Sequence, residues 1–293
     1  MKYEDFICFI QAKMQERMGE EVQIQIQQVV KNNNIVLDGL CIAEKDSSIA
    51  PTIYLNGYYR QYEEGRTVPE ILDAMQETYV KNRKEINFDP SFYADFTCVQ
   101  PHLMCRVINR QKNEERLKQV PWRPFLNLAI VVCCYFEDEV IGNGSILVYQ
   151  NHLNGWGITE EELFRVAREN TLRIQPEEFM SMNTILKKYH AEFGENSEPQ
   201  PIFVLTNRGN YFGAVCMIFD SVLSEIGETL QDDFWVLPSS IHECVIVPAQ
   251  IQTNGTELQA LVREINRKEV QAEEFLSDEI YFYHRMLHKL IMR

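Results

Sequence analysis

The sequence lacks any long run of apolar residues. Its longest such run, residues 128–136, is far shorter than the roughly 20 residues that a membrane-spanning helix requires. Residues 1–6 carry two acids where a signal peptide has a basic start followed by an apolar stretch. We therefore expect no targeting segment, no membrane association and a cytoplasmic location.

Basic residues are few relative to acidic ones. The chain has 28 Lys and Arg against 43 Asp and Glu, which gives a formal net charge of −15. A field of this sign repels phosphate backbones and anionic lipid surfaces. The densest basic stretch, residues 81–84, is too short to form a binding patch for nucleic acid. We expect neither nucleic acid nor membrane among the partners.

Cysteine pairs with metal-binding or redox spacing are also missing. No two of the eight cysteines form a Cys-x-x-Cys pair, so neither a zinc ribbon nor a thioredoxin-type site is indicated. Cys133, Cys134 and Cys216 lie in apolar runs, where a free cysteine packs as a small hydrophobic residue. We expect eight reduced thiols.

Other sequence signatures of catalysis are absent or incomplete. The chain contains no Gly-x-Ser-x-Gly elbow and no His-Glu-x-x-His metal motif. The segment 206–213 is rich in Asn and Gly but matches no phosphate-binding loop, and we interpret it as a hairpin turn between predicted strands at 202–205 and 211–218. His284 and His288 have the spacing of one helix face, but no acidic third ligand is near, so we predict surface histidines on a terminal helix. No metal and no cofactor is predicted.

The patterns that are present predict an α+β fold, mostly antiparallel sheet with helices packed against it. Amphipathic helices are predicted from residues 3, 67, 159, 176, 221 and 255, and alternating or apolar strands lie between them. The chain length allows one large domain or two. Residues 194–201 have linker composition, so the chain forms either two lobes, 1–194 and 202–293, or one continuous globular unit. Similar helical segments at 162–169 and 257–264 leave open that the two lobes are alike.

The most informative stretch is 233–248. Two short apolar runs, 234–237 and 244–247, are predicted to be buried strands, and between them lies the hexad Pro238-Ser-Ser-Ile-His-Glu243. The hexad gathers two hydroxyl groups, an imidazole and a carboxylate where the chain must turn. It is the densest cluster of reactive groups in the sequence.

Two interpretations of the hexad remain open. Ser239, Ser240, His242 and Glu243 supply the residue types of a hydrolase, in which a base activates a serine and an acid orients the base. However, adjacent residues of an extended chain face opposite sides, so Glu243 is poorly placed to hold His242. The other interpretation is a structural corner, in which hydroxyl and imidazole groups satisfy buried main-chain groups. No catalytic residue is therefore assigned.

Three phrases together resemble an uncharacterised bacterial family, a domain of unknown function of gut Firmicutes and their relatives. They are the stretches 120–132 and 156–170, and the hexad, which is the most specific of the three. The resemblance extends from roughly residue 20 onward and implies a bacterial cytoplasmic protein with an α+β fold. It implies no activity, cofactor or catalytic residue.

These observations favour a non-enzymatic interaction or regulatory protein whose partner is another protein. The alternative is a hydrolase or metal-dependent enzyme centred on Ser240, His242 and Glu243. The two differ in whether the hexad lines a pocket that reaches the solvent or lies sealed beneath the helices.

Overall fold

The structure, a computed structural model, describes residues 1–44, 51–82, 90–138, 142–189, 202–251 and 254–293. The chain divides into two compact units, residues 1–91 with 137–144 and residues 92–136 with 145–293. The predicted α+β fold with antiparallel sheets is confirmed. The boundary predicted at 194–201 lies outside the described residues, so the lobes 1–194 and 202–293 stay a prediction.

The first unit is a three-stranded antiparallel sheet covered by helices. Its elements are α1 (Tyr3–Met18), β1 (Val22–Val30), β2 (Val36–Glu44), β3 (Thr52–Tyr54), α2 (Leu55–Glu63) and α3 (Val68–Asn82), with strand order β1-β2-β3. On α1, Phe6, Ile10 and Met14 recur every four residues and are fully buried, as the helical period predicts. Helix α2 has no counterpart among the predicted elements.

A four-stranded sheet lies mostly in the second unit. It contains β4 (Leu103–Asn109), β5 (Trp122–Phe125), β6 (Leu128–Asp138) and β7 (Gly142–Leu147), in the order β4-β6-β5 with β7 also paired to β6. The apolar strand β6 lies at the centre of the sheet, and residues 128–135 are all buried. Its uniform hydrophobicity therefore reflects burial on both faces.

A six-stranded sheet completes the second unit. Its strands are β8 (Glu177–Ser181), β9 (Phe203–Asn207), β10 (Phe234–Leu237), β11 (Cys244–Pro248), β12 (Tyr281–His284) and β13 (Lys289–Met292), in the order β13-β12-β10-β11-β9-β8. Strands β10 and β11 pair antiparallel, Leu237 opposite Val245. The predicted strand pair around the hexad thus lies in the middle of the sheet.

The helices of this part of the chain connect and cover the strands. They are α4 (Pro90–Ala94), α5 (Phe96–Val99), α6 (Glu114–Leu117), α7 (Gln150–Trp156), α8 (Glu160–Ile174), α9 (Met182–Tyr189), α10 (Asp220–Leu230) and α11 (Gly255–Glu269). The similar segments of α8 and α11 pack in different hydrophobic clusters, α8 in the main core and α11 against strands β10 and β11. Their likeness is that of amphipathic helices.

Three predicted elements are wrong. The helix predicted from residue 176 begins as strand β8 and becomes helical only at α9. The strand predicted at 211–218 contains a 3-10 helix, Gly213–Ile218, whose six residues are all buried. The terminal helix predicted around residues 284–288 is the turn of the β12–β13 hairpin. The sequence of a short apolar segment does not show whether it forms a buried strand or a buried helical turn. So few residues do not reveal whether the apolar pattern has the period of a strand or that of a helix.

The 3-10 helix 213–218 lies in the main core and contacts β4, β9 and β11, strands of both sheets. Ala214 donates its main-chain N–H to the carbonyl of Ile241, and the thiol of Cys216 bonds the carbonyl of Thr206. These bonds tie the 3-10 helix to the end of β9 and to the hexad. The hexad is therefore hydrogen-bonded to an element that lies in the main core.

Candidate functional site

The hexad forms a corner between β10 and β11. Its main chain pairs with the segment that follows α11: Leu276 donates to the carbonyl of Ser239, and Ile241 donates to the carbonyl of Glu274, both at 2.9 Å. Ser240 and Phe275 form an isolated antiparallel bridge. The turn therefore has partners for main-chain groups that would otherwise be buried without them.

Ser240 serves this corner with its side chain. The residue is 6% exposed, and its hydroxyl accepts a hydrogen bond of 3.0 Å from the main-chain N–H of His242. Ser239 is half-buried and donates its main-chain N–H to Leu237. No hydrogen bond joins either serine to the imidazole among the described residues, so the serine–base contact of a hydrolase is not formed.

The imidazole of His242 is held by the main chain and by an aromatic ring. Phe212 donates its N–H to Nδ1 at 3.3 Å, and its ring stacks on the imidazole with centroids 5.7 Å apart. Because Nδ1 accepts, the neutral ring carries its proton on Nε2. Burial lowers the pKa of His242, and the nearby charge of Arg106 lowers it further. Both effects favour the neutral form of the imidazole.

The acid beside His242 is Glu274 and not Glu243. The Nε2 atom of His242 lies 3.7 Å from Oε1 of Glu274, whose pKa is raised by partial burial. Burial also raises the pKa of Glu243, which the hydroxyl of Ser240 opposes. No ion pair joins His242 to Glu243 among the described residues, whereas Glu274 comes from a distant segment that carries no local signal.

The loop 207–213 packs against the imidazole and has an unusual backbone. Asn210 and Phe212 have φ angles of 49° and 59°, in the left-handed region that large side chains rarely adopt. Asn207 holds the loop, because its side chain both accepts from the N–H and donates to the carbonyl of Tyr211. Gln175 fixes it from the other side by accepting from Gly209 at 2.8 Å. The segment is a turn, as predicted, but it enters the 3-10 helix and not a second hairpin strand.

Arg106 is the residue of this site that the sequence analysis missed. It lies in the middle of β4, and all the remaining residues of this strand are buried. Its guanidinium carbon lies 3.9 Å from the centre of the Phe212 ring, a cation–π contact. Its Nε is enclosed and has no hydrogen-bond partner, and burial lowers its pKa. A single arginine in an apolar strand was the available signal.

The arrangement can hold a neutral imidazole and a guanidinium around one phenylalanine ring. It does not bring a serine hydroxyl to a base. In the part of the chain that the structure describes, no group of three His, Cys, Asp or Glu side chains is placed to hold a metal ion. His284 lies beside Asp233, and His288 lies beside Ser224 and Tyr283, so the two histidines have separate local partners.

Comparison with known proteins places the chain in a family and no further. Among the described residues, no helix has both the length and the hydrophobicity to cross a membrane. No curated protein and no solved structure gives a significant match. The sequence pattern of a family of unknown function, DUF5688, matches residues 3–285, which includes α1 as well as the region from residue 20 onward. The chain belongs to the family of unknown function DUF5688.

Proposed function

We propose that this is a non-enzymatic bacterial protein of the cytoplasm that acts by binding another protein through its C-terminal hairpin, β12–β13. The observation that carries the proposal is the exposure of two large apolar side chains at the hairpin turn. Met286 is 84% exposed and Leu287 is 70% exposed. Exposed apolar side chains that stand together mark contact surfaces, and methionine adapts well to a partner.

The hairpin that carries these side chains is fixed to the rest of the fold by side-chain interactions. Arg285 makes two 3.0 Å hydrogen bonds to the carboxylate of Glu228, and His284 lies 3.3 Å from Asp233. Strand β13 is at the end of the sheet order, so one of its edges has no strand partner among the described residues. An ordered surface loses less conformational entropy on binding.

The charge of the hairpin indicates the chemistry of the partner. Lys289 and Arg293 are exposed, and residues 281–293 contain no acid although the whole chain is acidic. A partner with an apolar pocket and an acidic rim would complement this surface. The overall charge of −15 argues against nucleic acid as the partner.

The state of the hexad supports binding over catalysis. The hydroxyl of Ser240 and Nδ1 of His242 each accept a hydrogen bond from the main chain, so both groups already serve the fold. A hydrolase centred on Ser240, His242 and Glu243 would have to break these bonds to bring a hydroxyl to the base. All eight cysteines are free, which suits a reducing compartment.

The test compares two double variants in affinity capture from cytoplasmic extract. Met286→Ser/Leu287→Ser removes the hairpin surface. Leu261→Ser/Ile265→Ser, on α11, removes apolar side chains that are 51% and 41% exposed and serves as the matched control. We expect one protein to copurify stoichiometrically with wild type and with the control, and not with the hairpin variant. Equal recovery with the hairpin variant, or no stoichiometric partner at all, would reject the proposal.

A further inference from the structure

Arg106 carries a positive charge for which the described residues supply no counter-charge. No ion pair and no hydrogen bond from its terminal nitrogens is present among them, and its enclosed Nε is without a partner as well. A charge that is removed from water is costly unless it is paired, and removal costs far more than a cation–π contact returns. An apolar side chain at this position of β4 would cost less.

The loop that packs against Arg106 is held in place by specific hydrogen bonds. The guanidinium lies on the face of the Phe212 ring, and the φ angle of Phe212, 59°, is in the left-handed region that large side chains rarely adopt. Asn207, itself fully buried, supplies two of these bonds to the neighbouring Tyr211. Strained backbone persists where the surrounding structure fixes it, and such places are concentrated at binding sites.

The site can be reached from solvent. Arg106, Tyr211 and His242 all keep part of their surface exposed. Of the guanidinium nitrogens of Arg106 only Nε is fully enclosed, so the two terminal nitrogens keep exposed surface. A ligand that pairs with the guanidinium can therefore approach without opening the core.

We propose that Arg106 is the anchor of a binding site for a small molecule with one carboxylate and an aromatic or apolar body. A planar carboxylate matches the fork of a guanidinium with two parallel hydrogen bonds. The ring of Tyr211, which is partly exposed, lies between the buried rings of Phe212 and Tyr135, with centroids 3.9 and 6.1 Å away, and offers an aromatic surface to the rest of the ligand.

The neighbouring acids favour a ligand of single charge. Glu243 and Glu274 lie on the His242 side of the site, and Glu274 is close to Nε2 of His242. A phosphate dianion would meet both this local charge and the −15 of the whole chain. The single positive charge of the Arg106 guanidinium is neutralised by one carboxylate group of the ligand.

The test uses benzoate and its neutral isostere benzamide as probes for the wild-type protein. Binding is measured by calorimetry and by the shift of melting temperature, with sodium chloride at equal ionic strength as the baseline. We expect saturable binding of benzoate and binding of benzamide weaker by about tenfold or more, since only the anion makes charge-assisted hydrogen bonds. Equal affinity for the two probes, or no binding of benzoate, would overturn the proposal without any variant being needed.

Variants then locate the site. Arg106→Gln should remove the preference for benzoate, and Arg106→Lys, which keeps the charge without the fork, should weaken benzoate binding. Arg110→Gln is the matched control, because Arg110 follows the same strand, contacts the ring of Trp122 and is exposed. It should bind benzoate as wild type does. Benzoate binding by folded Arg106→Gln at the wild-type affinity would also overturn the proposal. The outcome is independent of the hairpin, so it does not depend on the proposed protein partner.

Discussion

Gly213 shows at the scale of one residue how the loop and the hexad are joined. A Cβ atom at this position would contact the hydroxyl of Thr206 and would lie 2.5 Å from the carbonyl oxygen of His242 and 2.6 Å from the main-chain nitrogen of Asn207. Main-chain atoms cannot move aside as the end of a flexible side chain can. Close packing of β9, the 3-10 helix and the hexad therefore requires glycine here.

Gly213→Ala should lower the free energy of unfolding by about 1–3 kcal/mol, because an added methyl group overpacks this contact. Gly155→Ala is the control, since Gly155 lies in helix α7 with nothing within 4 Å of the added atom. It should be neutral or stabilising by up to about 1 kcal/mol. Urea unfolding followed by circular dichroism measures both. A Gly213→Ala protein as stable as wild type would show that the three segments are not packed as described.

His242→Ala should cost about 1–3 kcal/mol of stability, because the buried N–H of Phe212 loses its acceptor at Nδ1. His242→Asn keeps an acceptor near that position and should cost less. Melting temperatures of the three proteins at pH 8 provide the comparison. If the alanine variant melts at or above the wild-type temperature, the imidazole is a free functional group and the hydrolase hypothesis gains support.

The same histidine gives the protein a defined pH dependence. Burial lowers the pKa of His242 from its ordinary 6.5, so the unfolded chain binds a proton more readily than the folded one. The stability contributed by the neutral ring is present above pH 6.5 and is lost as the pH falls through the lower, folded pKa. The stability difference between wild type and His242→Ala should therefore shrink between pH 8 and pH 5. A difference that grows on acidification would mean that the ring is charged in the fold.

At the scale of elements, the sequence predicted the helices and strands whose conformation depends on the pattern of their own residues. Helices α1, α8 and α11 have clear apolar periodicity and are found where expected, and the strand pair β10–β11 is confirmed with its turn. The 3-10 helix at 213–218 was not predictable, because its conformation is determined by bonds to Thr206 and Ile241 from other elements. The hexad could be found from its composition. Its partners Phe212 and Glu274 could not, since only the tertiary fold brings them to His242.

Helix α8 offers a test of one of these local signals. Thr159 precedes the helix, and its hydroxyl accepts a 3.2 Å hydrogen bond from the N–H of Glu162, as the capping sequence predicts. Thr159→Ala should cost about 1 kcal/mol, because the first-turn N–H loses its acceptor. Thr159→Ser keeps the acceptor and should retain most of the stability. The free energy of unfolding in urea distinguishes the two, and an alanine variant equal to the serine variant would contradict the cap.

At the scale of the whole molecule, charge and hydrophobicity are distributed unevenly. The chain is strongly acidic, yet its last thirteen residues carry three basic side chains and no acid. The same segment holds the two most exposed large apolar residues of the described chain, Met286 and Leu287. A surface that differs from the rest in both properties is one on which specificity for a partner can rest, while the remaining acidic surface keeps other anionic molecules away.

The thiols test the molecule as a whole, because their reactivity depends on burial throughout the chain. Cys8 and Cys98 are exposed and Cys41 is partly exposed, whereas the other five are buried, and burial raises the pKa of Cys105 to about 11 and that of Cys133 to about 12. A raised pKa leaves little thiolate, the reactive form. In the native protein at pH 8 a thiol reagent should therefore react quickly only with Cys8, Cys98 and, more slowly, Cys41. In guanidinium chloride it should recover all eight thiols. Recovery of six or fewer would mean that a disulfide forms in the cell, and rapid reaction of all eight in the folded state would mean that the cores of the two units are not closed.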